Sequence, residues 1–152
     1  ANFFREMVSK SIQWENYHQQ ERFNSNHGIK LNSYHHSYFD RSKARTEITV
    51  TKFIDKIKNH TKMSREQLLF EFSSPNHTMA ISIKYNKKTR SWDYMFFDPN
   101  IGIIKNYNQK NFGEFLHQYV SERARFYLFK SESVDFLIEF SQFDNVKSIK
   151  KT

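Results

Sequence analysis

The stretch HTMAISIKYNKKTRSWDYMFFDPN, residues 77–100, opens on a histidine and closes on an Asp-Pro-Asn turn. His77 and Asp98 are residue types that work together in acid–base chemistry. A carboxylate bonded to one imidazole nitrogen fixes the tautomer and steadies the imidazolium. The other nitrogen is then left to take a proton from a nucleophile. That nucleophile would come from another element packed over these residues, most naturally a helix N-terminus, where a thiol is acidified. The chain contains no cysteine. A structural account uses the same residues: Asp accepts a backbone bond, Pro fixes φ, and Asn tolerates the next turn position. On residue types alone, both accounts stand.

Two strands must bring the pair together. Residues 77–85 and 91–98 alternate with period two, and the polar NKKTR between them signals a hairpin. A turn centred between Lys87 and Lys88 sets Tyr85 opposite Arg90, Ile83 opposite Trp92 and Ile81 opposite Tyr94. It also sets Met79 opposite Phe96 and His77 opposite Asp98. Directly opposed residues share a face, with Cβ atoms roughly 4.5–5.5 Å apart. A one-residue slip would mix the apolar and polar sets, so burial opposes it. The pair is therefore predicted at the open end of the hairpin, on its core side.

Around this hairpin the periodicity is helical. Residues 2–21 read as a helix through Phe3, Phe4, Met7, Val8, Ile12 and Trp14, and residues 22–44 as a long polar, aromatic loop. From Thr46, the spacing of Val50, Phe53, Ile54 and Ile57 predicts a second helix. Ser64 and Gln67 have capping-box spacing before LLFEF, which fits either a short helix or a strand. Residues 109–122 match the amphipathic template at Phe112, Phe115, Leu116, Tyr119 and Val120. RFYLFK and VDFLIEF read as final strands, or as a strand and a short helix. The expectation is an α+β domain with helices first and an antiparallel sheet in the middle. It spans 1–152 as one domain, ending in a basic tail at 144–152.

Composition removes several function classes. No GxGxxG or GxxxxGK[ST] pattern occurs, and three glycines leave little for a phosphate cradle. Without cysteine there are no disulfides or thiolate metal sites. His18, His27, His35, His36, His60 and His117 show no metal-ligand spacing, so neither metal nor cofactor is expected. No apolar run is long enough to span a membrane. The start, ANFFREMVSK, lacks the pattern of a signal peptide. It also lacks an initiator Met, which is read as a start inside a longer product or after processing. The net charge of +8 favours anionic partners: nucleic acid, an acidic protein or an anionic membrane surface. Clusters lie at Lys84, Lys87, Lys88 and Arg90 and at Lys147, Lys150 and Lys151. Nucleic acid is disfavoured, because the aromatic residues fall on predicted core faces and no recognition motif is present.

The motifs HTMAISIKY and YMFFDPNIG resemble the YopT/AvrPphB-type cysteine proteases and their EspL-like relatives, papain-like enzymes that pathogenic bacteria deliver into host cells. The shared pattern is a strand H-x-x-A/S, a strand ending F-F-D-P-N-x-G, and an amphipathic helix. His77, Met79 and Ala80 match the first part, and Phe96, Phe97, Asp98, Pro99, Asn100 and Gly102 the second. Phe112, Phe115 and Leu116 match the third. The resemblance implies a papain-like fold with N-terminal helices on a central sheet, His77 as general base and Asp98 as its orienter. It also implies a secreted effector that cleaves a host protein, or itself, in the host cytoplasm.

The family's nucleophile is a cysteine at the N-terminal end of a helix upstream of the histidine, at or just before residue 1 here. Either the cysteine precedes Ala1, or Ala1 stands in its place, or the scaffold has become a non-catalytic interaction module. Ser9 and Ser11 lie too far into the predicted helix to be served by its dipole.

Overall fold

In the computed structural model of the chain, residues 39–41, 45–106 and 108–145 are described, with side chains for 45–106 and 108–143. The chain divides into two units, Arg41–Phe143 and a second made of Ala1–Asp40 with Asp144–Thr152. The helix expected over 2–21 lies outside the described residues. Within the loop expected over 22–44, Phe39–Arg41 forms a short strand, β1.

The order continues with β2 (Thr46–Thr49), α1 (Val50–Met63), β3 (Leu68–Ser74), β4 (His77–Asn86) and β5 (Ser91–Asp98). It ends with β6 (Gly102–Asn106), α2 (Gln109–Tyr127), β7 (Lys130–Glu132) and β8 (Asp135–Asn145). The fold is α+β with an antiparallel sheet. Its central order is β8-β3-β4-β5-β6, and β2 and β7 also pair with β8.

One face of the sheet makes the core. Leu68, Phe70 and Phe72 of β3 lie beside Met79, Ile81 and Ile83 of β4 and Trp92, Tyr94 and Phe96 of β5, all buried. Helix α1 lays Val50, Phe53, Ile54 and Ile57 on this face, and α2 adds Phe112, Leu116, Tyr119 and Val120. The Phe53 ring sits among Phe70, Phe72 and Phe140, at centroid distances of 5.1, 5.5 and 5.3 Å. The helices approach at Gly113, next to Ile54.

Four sequence expectations are settled or changed. Thr46–Thr49 is a strand, and the helix begins only at Val50, where Thr49 caps it by accepting from Lys52 N at 3.3 Å. LLFEF is a strand buried on both faces. RFYLFK is divided: Arg125–Tyr127 complete α2, Leu128 turns into the left-handed region (φ 58), and β7 starts at Lys130.

The fourth change is the hairpin register. Tyr85 pairs with Trp92, Ile83 with Tyr94 and Ile81 with Phe96, two residues away from the expected pairing. A two-residue loop at Lys87-Lys88 would need positive φ at bulky residues. The turn instead takes Lys87–Arg90, with Arg90 alone at φ 55. The Asn86 side chain accepts from Lys88 N and Thr89 N at 2.9 and 3.3 Å. An even shift keeps every side chain on its face, so the core positions survive.

Candidate active site

His77 begins β4 and Asp98 ends β5, on the core-facing side of neighbouring strands. They do not face each other directly. The observed register, continued past Ala80 and Phe97, puts Met79 level with Asp98, so His77 reaches the carboxylate along the diagonal. The two side chains meet: His77 Nε2 lies 2.7 Å from Asp98 Oδ1.

The turn after β5 is built as its residue types require. Ile101 N donates to Asp98 O and Asn100 N donates to Asp98 Oδ1, both at 2.9 Å. Gly102 re-enters the sheet opposite Asp98 at φ 120, a conformation that glycine adopts without strain.

The other carboxylate oxygen is held by α2. Tyr119 and Tyr127 hydroxyls both donate to Asp98 Oδ2, the latter at 2.8 Å. The Tyr127 hydroxyl also accepts from Asn100 Nδ2 at 3.1 Å, and its ring stacks on the His77 imidazole with centroids 4.0 Å apart and 20° between planes. The end of α2 is tied to the turn before His77 by Asn76 Nδ2, which donates to Phe126 O at 3.0 Å. The Arg123 guanidinium lies over the Tyr119 ring, 3.7 Å from its centroid.

These contacts set the charges. Asp98 has no exposed side-chain surface, whereas His77 keeps 14% of its own. Burial alone would raise the Asp98 carboxyl. The bonds from His77, Tyr119, the Asn100 amide and Tyr127 outweigh it and hold the group well below the usual carboxylate range. Burial, and then the bond to Asp98 and its negative charge, push the Tyr119 phenol far up; burial raises Tyr127 as well. At neutral pH, Asp98 is therefore an anion surrounded by donors. With Nε2 engaged, His77 has one free ring nitrogen, Nδ1, which makes no hydrogen bond among the described residues.

Tyr119 and Tyr127 have no place in the sequence-level site. Both lie on the buried face of α2, eight residues apart, so one stripe of the helix carries them. Extending the helical pattern through RFY would have aligned them.

The basic cluster lies elsewhere. Lys84, Lys87, Lys88 and Arg90 are exposed toward the far end of the hairpin, about 23 Å of strand or more away from His77. Beside them the Arg65 guanidinium lies 4.4 Å from the Tyr85 ring centroid. His60 bonds Glu66 O at 2.8 Å and His117 approaches Asp135 at 3.9 Å. His18, His27, His35, His36, Ser9 and Ser11 lie outside the described residues. Among the described residues, no three His, Asp or Glu side chains gather where a metal could be held, and no helix is long and apolar enough to cross a membrane.

No curated protein matches the chain. The family model described as the Mcf1 protease effector domain matches residues 19–147, a span that includes His77, Asp98, Tyr119 and Tyr127. The chain belongs to this family of bacterial protease effectors.

Proposed function

We propose that this is a papain-like cysteine-protease-type domain of a bacterial effector, with His77 as general base and Asp98 as its orienter. One observation carries the proposal. His77 Nε2 is bonded at 2.7 Å to a buried aspartate held as an anion, and Nδ1 is left without a partner among the described residues. In that role Nδ1 takes the proton of a thiol, and the thiolate attacks the scissile carbonyl carbon. The imidazolium then protonates the leaving amine. Water releases the acyl group in a second step, with Nδ1 again as base. Asp98 stays ionised throughout and keeps the proton on Nε2.

The resemblance to the YopT/AvrPphB-type and EspL-like proteases supports the papain-like assignment through the same HxMA and FFDPN residues. With it go a single domain over 1–152 with a basic tail at 144–152, a host protein as substrate, and action inside the host cell. The basic turn at Lys84, Lys87, Lys88 and Arg90 suits an anionic membrane or an acidic substrate flank. The 152 residues supply no cysteine. Hydrolysis therefore requires a protein that brings a thiol to Nδ1 from other sequence. That same lack favours a second reading, a non-catalytic interaction module that keeps the scaffold.

A thiol-alkylating probe applied to the full-length protein, with His77→Ala and Asp98→Ala controls, separates the two. A catalytic thiol labels rapidly, and His77→Ala slows labelling and peptide hydrolysis about 100-fold or more. Labelling indifferent to both substitutions, or no labelling and no hydrolysis, refutes the protease and leaves the interaction module.

A further inference from the structure

We infer that Tyr127 is a positioning residue for His77, its ring fixing the plane of the imidazole against the carboxylate that the imidazole binds. The inference rests on the base-and-orienter roles of His77 and Asp98, but its geometry is independent of any nucleophile. A hydrogen bond to Asp98 constrains one ring atom and leaves the imidazole free to swing about it. A second contact, over the ring face, removes that freedom. Tyr127 supplies it with a 4.0 Å stack at 20°, and the same side chain reaches Asp98 Oδ2 at 2.8 Å. One residue thus touches both members of the pair.

Tyr127 is itself held from three sides. Asn100 Nδ2 donates to its hydroxyl, Phe129 packs on its ring edge with centroids 6.2 Å apart, and Asn76 fixes the backbone of the preceding residue. Leu128, the next residue, ends the helix in the left-handed region, and Phe129 N then donates back to Ala124 O at 3.0 Å. Tyr127 therefore projects from a terminated, anchored helix end, as positioning requires. Tyr119 has a narrower role, since it donates to Asp98 and has no stacking contact with the imidazole.

Nitrogen and proton NMR of the His77 ring in the 152-residue chain tests this. In the wild type the neutral ring is a single Nε2–H tautomer, and its carbon-bound protons are shifted upfield by the Tyr127 ring current. Tyr127→Phe retains the ring and keeps both signatures. Tyr127→Leu removes it, abolishes the upfield shift and frees the imidazole to swing about its bond to Asp98, so nitrogen and carbon relaxation of the ring shows added motion while the Nε2–H tautomer is kept. A Tyr127→Leu protein whose imidazole stays as rigid as in the wild type overturns the inference, as does a Tyr127→Phe protein whose imidazole gains that motion. The Phe variant decides the matter if the Leu variant does not fold. In the full-length protein, Tyr127→Leu lowers kcat about 100-fold with KM little changed. Absence of hydrolysis with the His77 spectra as described refutes the protease and not the positioning. Hydrolysis with those signatures missing does the reverse.

Discussion

Replacing Asp98 is the most searching perturbation of this fold, because one carboxylate terminates hydrogen bonds from three elements. In Asp98→Ala the Tyr119 and Tyr127 hydroxyls are buried donors without their acceptor, and the more exposed Asn100 amide and His77 Nε2 lose theirs. At roughly 1–3 kcal/mol for each orphaned buried donor, the cost is about 4 kcal/mol. That is a large part of the roughly 5–15 kcal/mol available to a domain. With a urea m-value of about 2 kcal/mol/M, the unfolding midpoint falls by about 2 M. Asp98→Asn is milder. Its amide oxygen can serve His77 and Asn100, while its NH₂ turns the two hydroxyls into acceptors. The charge assistance is lost, about 2 kcal/mol, and the two hydroxyl protons lose the oxygen that accepted them.

The pH dependence distinguishes charge from shape. The folded Asp98 carboxyl is held well below its ordinary value of about 3.9. Above that value both folded and unfolded chains carry the anion, and wild type keeps its full advantage over Asp98→Asn. As the pH falls below it, the unfolded chain takes up the proton first. The advantage shrinks until the folded carboxyl is protonated too. Urea unfolding of the pair at pH 7 and pH 2.5 measures the difference, and the other carboxylates cancel between variants. The account fails if the gap is the same at both pH values, or if Asp98→Ala costs under about 1 kcal/mol.

Phe53→Ala opens a cavity among Phe70, Phe72 and Phe140 and is expected to cost about 3–5 kcal/mol in urea unfolding. Gly113→Ala should stabilise by about 1 kcal/mol in the same assay. The added methyl meets Ile54 Cγ2 at an ordinary 3.5 Å, and alanine is the better helix former. Side-chain NOEs should link Ile83 to Tyr94 and Ile81 to Phe96; strong Ile83–Trp92 and Ile81–Tyr94 contacts in their place would restore the two-residue turn.

How far the sequence could be read depended on how many faces of each element are buried. Strand β5 announced itself because its burial alternates, and β4, although buried on both faces at Met79–Ile83, because large Met79, Ile81 and Ile83 alternate with small Ala80 and Ser82. The parity of that pattern put His77 and Asp98 on one side whichever even register applied. The register itself depended on turn chemistry, on Asn86 capping two amides and on Arg90 accepting positive φ. Nothing in the alternation encodes that. LLFEF was ambiguous because every residue of β3 is buried, and burial on both faces erases the period that separates strand from helix. The start of α1 was blurred because TEIT has apolar spacing continuous with the helix. Its β-branched Thr46, Ile48 and Thr49 pair with β8 instead. RFYLFK looked like a strand for its aromatic density, yet Tyr127 belongs to the helical stripe that already held Tyr119.

A purely structural role for Asp98 explains only part of its surroundings. An Asp-Pro-Asn turn needs the carbonyl bond from Ile101 and the side-chain bond from Asn100, and both are made. It needs nothing at Oδ2, which in an ordinary turn faces water. Here two tyrosines from a distant helix cover that oxygen, and a histidine occupies the remaining approach to Oδ1. Burying a carboxylate costs several kcal/mol unless such donors offset it, so a turn alone gives no reason for the arrangement. Asparagine satisfies the same turn without charge. If the turn were the whole purpose, Asp98→Asn would leave the His77 tautomer, the Tyr127 stack and any thiol reactivity unchanged at every pH. A charge-dependent change in the reactivity of a thiol brought to Nδ1 is the outcome that only an orienting carboxylate produces.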